Sequence, residues 1–246
     1  MPPRAARLTP PAAAPTPGNL ARATSVRPAI ARATRQRFVR LWERAVGGAP
    51  STTADLVHAD LNWRLTGPDR RFHDLGHIDE CLRQCDRVAT IVPDRDALEL
   101  GLWFHDADYV PGDPDNEKRS AELFLRFSAG APAGLRRRVA GLILATRHRT
   151  PARSLERCYI EDIDLVGFGA SFDHFMAEGD LLRDEFAVQS DDTYYRSQVA
   201  FLRSLQKRPS FFLTDYFRSR YEDNARRNIA ALLELRSAQG YAACGV

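Results

Sequence analysis

A chain of 246 residues with 44% hydrophobic and 27% charged side chains has a globular composition and is long enough to bury a sizeable core. Its formal net charge is only +3, and the basic excess is gathered at the N-terminus, which argues against a dedicated binder of duplex nucleic acid. No stretch approaches the ~20 apolar residues of a membrane span, no secretory apolar region is present, and Cys81, Cys85, Cys158 and Cys244 fit neither a zinc ribbon nor a disulfide framework.

Residues 1–34 contain no acidic side chain and are rich in Arg, Ala and Pro. They read as a disordered tail, although their composition also resembles a transit peptide. A cytoplasmic location is the default expectation. Residues 35–240 read as one all-α domain, an orthogonal multi-helix array rather than a regular bundle.

The first helix carries Phe38, Leu41, Trp42 and Ala45 on one stripe and ends at Gly47-Gly48, before Pro50. Ser51 to Thr53 offer N-caps for a second helix with Leu56, Leu61 and Leu65 inside, and Gly67-Pro68 breaks the chain. A third helix is predicted over 71–90, with Leu75, Ile78, Leu82, Cys85 and Val88 at helical spacing. Cys81 and Cys85, four apart, read as small core residues. The segment ALELGLWFHDADY (97–109) is apolar on most sides and is expected at the centre of the fold. Asp113-Pro114 reads as cap and first residue of a helix over 115–128. Further helices are predicted over 133–147, 158–168, 171–188, 191–206 and 219–238. Strand signals are nearly absent.

Four segments concentrate groups able to do chemistry. In FHDLGHIDE, His73 and His77 stand four apart and are expected on one helix face. In WFHDADY, His105 and Asp106 close the most apolar helix, where a charged pair is costly unless something offsets its desolvation; a divalent cation is the simplest compensation. LATRHRT places His148 between Arg147 and Arg149, and IEDIDLVGFG embeds Asp162 and Asp164 among Ile163, Leu165 and Val166. Imidazoles and carboxylates suit Zn, Fe, Mn and similar ions, and such an ion activates water for attack on phosphorus while arginines neutralise phosphate charge. His58 and His174 have no partner segment and read as surface residues; Phe211, Phe212, Tyr216 and Phe217 read as packing.

The order His, His-Asp, Asp over successive helices resembles the HD superfamily of metal-dependent phosphohydrolases. RFHDLGHI, WFHDADY, NEKRSA, TRHR and DIDLVGFG are similar to the ordered motifs of one uncharacterised bacterial branch, over about residues 35–235. Phe72 and Asp74 depart from the Tyr and Asn of that pattern. The resemblance implies a metal held by His77, His105, Asp106 and Asp164, with Asp162 a rival for the last place, and one or two ions of Mn, Mg, Zn, Co, Ni or Fe. It implies catalytic parts for Asp106, Glu117 and His148, contact with substrate by His73, Arg147 and Arg149, and a small phosphoester, possibly a nucleotide, as substrate. Two alternatives stand beside it: a di-iron oxygenase on the same scaffold, for which His148 and His73 are the spare imidazoles, and a non-catalytic helical binding module. Oligomeric state is not legible.

Overall fold

A computed structural model describes residues 34–47, 53–149, 152 and 154–241. The expected tail up to residue 33, the cap candidates Ser51 and Thr52, the breakers Gly48 and Pro50, and Cys244 lie outside the described residues. Among the described residues every regular element is helical: α1 (34–45), α2 (Ala54–Leu65), α3 (Leu75–Arg87), α4 (Arg95–Phe104), α5 (Asn116–Phe127), α6 (Ala133–Ile143), α7 (Leu155–Asp164), α8 (Phe172–Glu185), α9 (Asp191–Gln206) and α10 (Asp215–Ala238). Short 3-10 turns follow α6 (Leu144–Arg147) and α7 (Val166–Gly169). The helices pack across one another, as the orthogonal array requires. No described helix is long and apolar enough to cross a membrane.

Local hydrogen bonding sets several boundaries. Thr53 caps α2 by accepting from the Leu56 amide, and Gly47, at φ +76°, turns the chain out of α1. Asp74 accepts from the amides of Gly76 and His77, so α3 begins at Leu75 rather than at 71. His73 therefore precedes the helix and does not share a helical face with His77. Asp94 caps α4, which stops at Phe104, leaving His105 and Asp106 at its C-terminal end. Asp113 accepts from the Asp115 amide in a turn, and α5 starts only at Asn116, so Asp113-Pro114 does not form the expected cap and first helical residue. Thr214 caps α10, which starts four residues earlier than predicted, at Asp215.

The core forms around α4. Every residue from Ala97 to Phe104 is buried, and the helix packs against α3, α5, α6 and α7. Phe38 stacks on Trp42 and meets Trp103 edge-on at 5.1 Å, while Phe104 meets Phe124 at 5.2 Å. His58, expected at the surface, is wedged between Phe38 and Trp103, and burial pulls its pKa down. Leu56, expected inside, is 62% exposed. Phe211, Phe212 and Phe217 extend the same core towards α10, with Phe168 and Tyr216 partly buried against it.

Gly101 sits where α4 crosses α6 and α7: a Cβ there would lie 2.9 Å from Ile160 Cδ1 and 3.2 Å from Leu142 Cβ. Gly101→Ala should therefore destabilise the protein by about 1–3 kcal/mol through overpacking, although alanine is the better helix former. Urea unfolding measures this, and an unchanged or raised midpoint would show that α4 lies further from its neighbours.

Candidate metal centre

Three elements deliver their donors to one point. His77 projects from the first turn of α3, with Cys81 one turn further along the same face. His105 and Asp106 follow the last residue of α4, and Asp164 is the last residue of α7. His77 Nε2 stands 3.2 Å from His105 Nε2, 3.2 Å from Asp164 Oδ1, 3.7 Å from Asp106 Oδ2 and 3.6 Å from Cys81 Sγ. His105 Nε2 stands 2.9 Å from Asp106 Oδ2 and 3.3 Å from Asp164 Oδ1. Donors ~2.1 Å from a tetrahedral ion are separated by about 3.4 Å, so these spacings leave room for one ion in the middle.

Two further observations fit a cation. Asp106 Oδ2 is buried and takes part in no aligned hydrogen bond, a costly state for a carboxylate oxygen. His105 Nδ1 is 2.8 Å from the Leu102 carbonyl, so its N–H donates there and its Nε2 lone pair faces the cluster. Electrostatics point the same way. Burial opposes charge on His105, but Asp106 and Asp164 outweigh it and raise its pKa well above the ordinary value. His77 rises likewise against burial, through Cys81 and Asp164. Burial opposes ionisation of Asp164 and Asp106, yet His105 above all holds both well below the usual carboxylate range. The cluster thus attracts positive charge, which protons or a divalent ion can supply.

His148 flanks this group. Its Nε2 is 2.8 Å from Asp164 Oδ2, and its Nδ1 is 3.9 Å from the buried Glu161 Oε2. Burial opposes its charge, but Asp164 and Glu161 lift its pKa to about 9. The 3-10 turn ending at Arg147 delivers it in the left-handed region, at φ +52°, the one non-glycine residue so placed among the described residues. The Arg208 guanidinium donates to its carbonyl at 2.7 Å and helps hold that conformation.

The rivalry between Asp162 and Asp164 is resolved by helix rotation. Asp162 faces away from the cluster, where it accepts from the amides of Leu213 and Thr214 and from the Thr214 hydroxyl at 2.7–2.8 Å. Burial raises its pKa to about 6 even so. It ties α7 to the start of α10.

The remaining expected site residues are divided. His73 lies beside the cluster, its ring 6.0 Å from that of His77 and 4.2 Å from that of Tyr109, and its Nδ1 is 2.6 Å from Glu185 Oε2. Glu117 is half-buried on α5 with its carboxylate 3.4 Å from Arg147, and neither residue touches the metal-donor group. Arg149 is exposed, with Nη2 3.4 Å from the Pro114 carbonyl.

Sequence reasoning missed the supports. Cys81 is buried as expected, but its thiol belongs to the donor cluster with His77, His105 and Asp164. Arg70 is buried and donates to the carbonyls of His73, Asp106 and Ala107, clamping the turn before α3 to the turn after α4. Glu185, at the end of α8, accepts from the amides of Arg71, Phe72 and His73. Cys81 carried a signal, since it stands four residues after His77; Glu185, more than a hundred residues from its partners, carried none.

No family model matches the chain, and no curated protein or solved structure is significantly similar to it.

Substitutions separate the two aspartates. Asp164→Ala should abolish stoichiometric metal binding, read by elemental analysis, with the fold retained. Asp162→Ala should keep the metal but lose about 2–4 kcal/mol of stability, because three donors lose their acceptor. The reverse pattern would exchange their roles.

Proposed function

We propose that this protein is a metal-dependent phosphohydrolase of the HD type, acting on a small phosphoester. The observation that carries the reading is the meeting of His77, His105, Asp106 and Asp164, from three separate elements, at spacings suited to one ion. A divalent ion bound there supplies Lewis acidity and lowers the pKa of its water towards ~7.

The chain's own residues would prepare that site in three ways. The Leu102 carbonyl fixes the tautomer of His105, and Arg70 fixes the backbone of Asp106. His148 keeps a proton at Nε2 against Asp164 Oδ2, so it orients and partly neutralises that carboxylate; this supports a positioning role. The apolar residues of α4 and α7 keep bulk water from the rear of the cluster, which strengthens its electrostatics. The donor chemistry favours zinc, iron or cobalt over magnesium, because two imidazoles and a thiol are softer than an all-oxygen set.

The test is phosphate release from a panel of phosphomonoesters, phosphodiesters and nucleotides by protein loaded in turn with Mn, Mg, Zn, Co, Ni and Fe. At least one substrate should be cleaved, and His105→Ala should reduce the rate by ~10²-fold or more. A fully metallated protein that releases no phosphate from any member is not this enzyme.

Cys81 yields a separate expectation. Cobalt(II)-loaded protein should show a near-ultraviolet sulfur-to-metal charge-transfer band that Cys81→Ser removes while cobalt remains bound. A wild-type spectrum without that band would place the thiol outside the coordination sphere.

A further inference from the structure

A cleft of about 1240 Å³ opens between α6, the following 3-10 turn and the start of α7. Its walls carry Arg137, Arg138, Arg147, Arg149 and Arg157, and Leu142, Leu144 and Ala145 give it an apolar floor. Arg138 is committed to Asp94 and reaches Glu156 at 3.7 Å. The other arginines have donors to spare. Arg137 and Arg157 make no hydrogen bond or ion pair among the described residues. Arg147 has its Nε and Nη2 buried without a hydrogen bond, with Glu117 and Asp115 only at 3.4 and 3.6 Å. Arg149 makes one long contact, to the Pro114 carbonyl.

The acids on the same wall do not neutralise this charge. Glu156 faces Arg138, and Glu161 is buried against His148. The first turn of α7 also faces the cleft at Ser154, whose side chain does not cap the helix. Arg137 and Arg157 have no partner among the described residues, Arg147 is shared with Glu117 and Asp115 at 3.4 and 3.6 Å, and guanidiniums, as planar forks, each donate two parallel bonds to a phosphate. Four of them match an anion of several negative charges better than a single phosphate. Glu161 links this wall to the metal-donor group: it lines the cleft, and His148 stands 3.9 Å from it and 2.8 Å from Asp164.

We propose that this cleft binds an oligophosphate group, through Arg137, Arg147, Arg149 and Arg157. The group is either the distal phosphates of the substrate cleaved at the metal centre or a separate effector; only the first depends on the hydrolase reading.

The experiment begins with calorimetry of tripolyphosphate binding to the full chain stripped of metal, so that chelation at the metal centre plays no part. Wild type should bind, and Arg137→Ala with Arg157→Ala should weaken binding by ~10-fold or more, as expected for charge-assisted forks. Neither residue has an internal partner among the described residues, so the fold should persist, checked by circular dichroism. Arg220→Ala, on α10, serves as the control and should bind as wild type does. Absent binding, or equal binding by the double variant, overturns the proposal. With metal-loaded protein, a raised KM of the double variant for a triphosphate ester, but not for a monophosphate ester, assigns the cleft to substrate. Unchanged KM for both, with lost sensitivity to added tripolyphosphate, assigns it to an effector. Because the calorimetry needs no turnover, binding without hydrolysis would sink only the enzyme reading, and hydrolysis without binding only the cleft.

Discussion

Two carboxylates and two imidazoles meet in a largely buried place where water screens them little, and the surrounding structure is arranged around that fact. Asp106 and Asp164 repel each other in a low dielectric unless positive charge lies between or beside them. His77, His105 and His148 can supply it as protons, and a divalent ion can replace the first two. The spacings of about 3 Å between donors make sense as the edges of a coordination polyhedron and would be hard to sustain as unprotonated lone pairs facing one another.

Holding such a cluster needs a rigid frame, and the frame is built mostly from main-chain contacts. Arg70 gathers three carbonyls from two turns, and Glu185 gathers three successive amides. Arg208 secures the carbonyl of His148, whose left-handed backbone would otherwise relax. α4 lies at the centre because it is apolar on most sides, with its one buried acid, Glu99, paired to Arg37, and Gly101 leaves room for α6 and α7 to approach it closely. The arginine-lined cleft reaches Glu161, which stands 3.9 Å from His148, so the proposed anion site and the metal-donor group are linked through these two residues.

Much of the donor set was legible in the text. His105-Asp106 stood out because a charged pair at the end of the most apolar helix demands compensation, and the pair is buried at the centre. The His73–His77 spacing misled, since a capping aspartate, Asp74, starts the helix between them and takes His73 off its face. His58 misled in the other direction: an isolated histidine gives no hint that two aromatic rings will close over it. Cys81 was read correctly as buried, but burial alone does not distinguish a thiol packed in the core from one turned towards a histidine one helical turn away.

The amino-acid order by itself determined that the chain is helical, that α4 is central and which short segments carry metal-binding groups, because periodicity, capping and local apolarity act over a few residues. Tertiary structure decided which groups meet. Asp162 and Asp164 have nearly the same neighbours in sequence, and only the rotation of α7 against α4 and α10 sends one to the cluster and the other to the amides of Leu213 and Thr214. Arg70, Glu185 and the arginines of the cleft likewise acquire their partners, or lack them, through contacts between residues far apart in the chain, and no local pattern encodes those contacts.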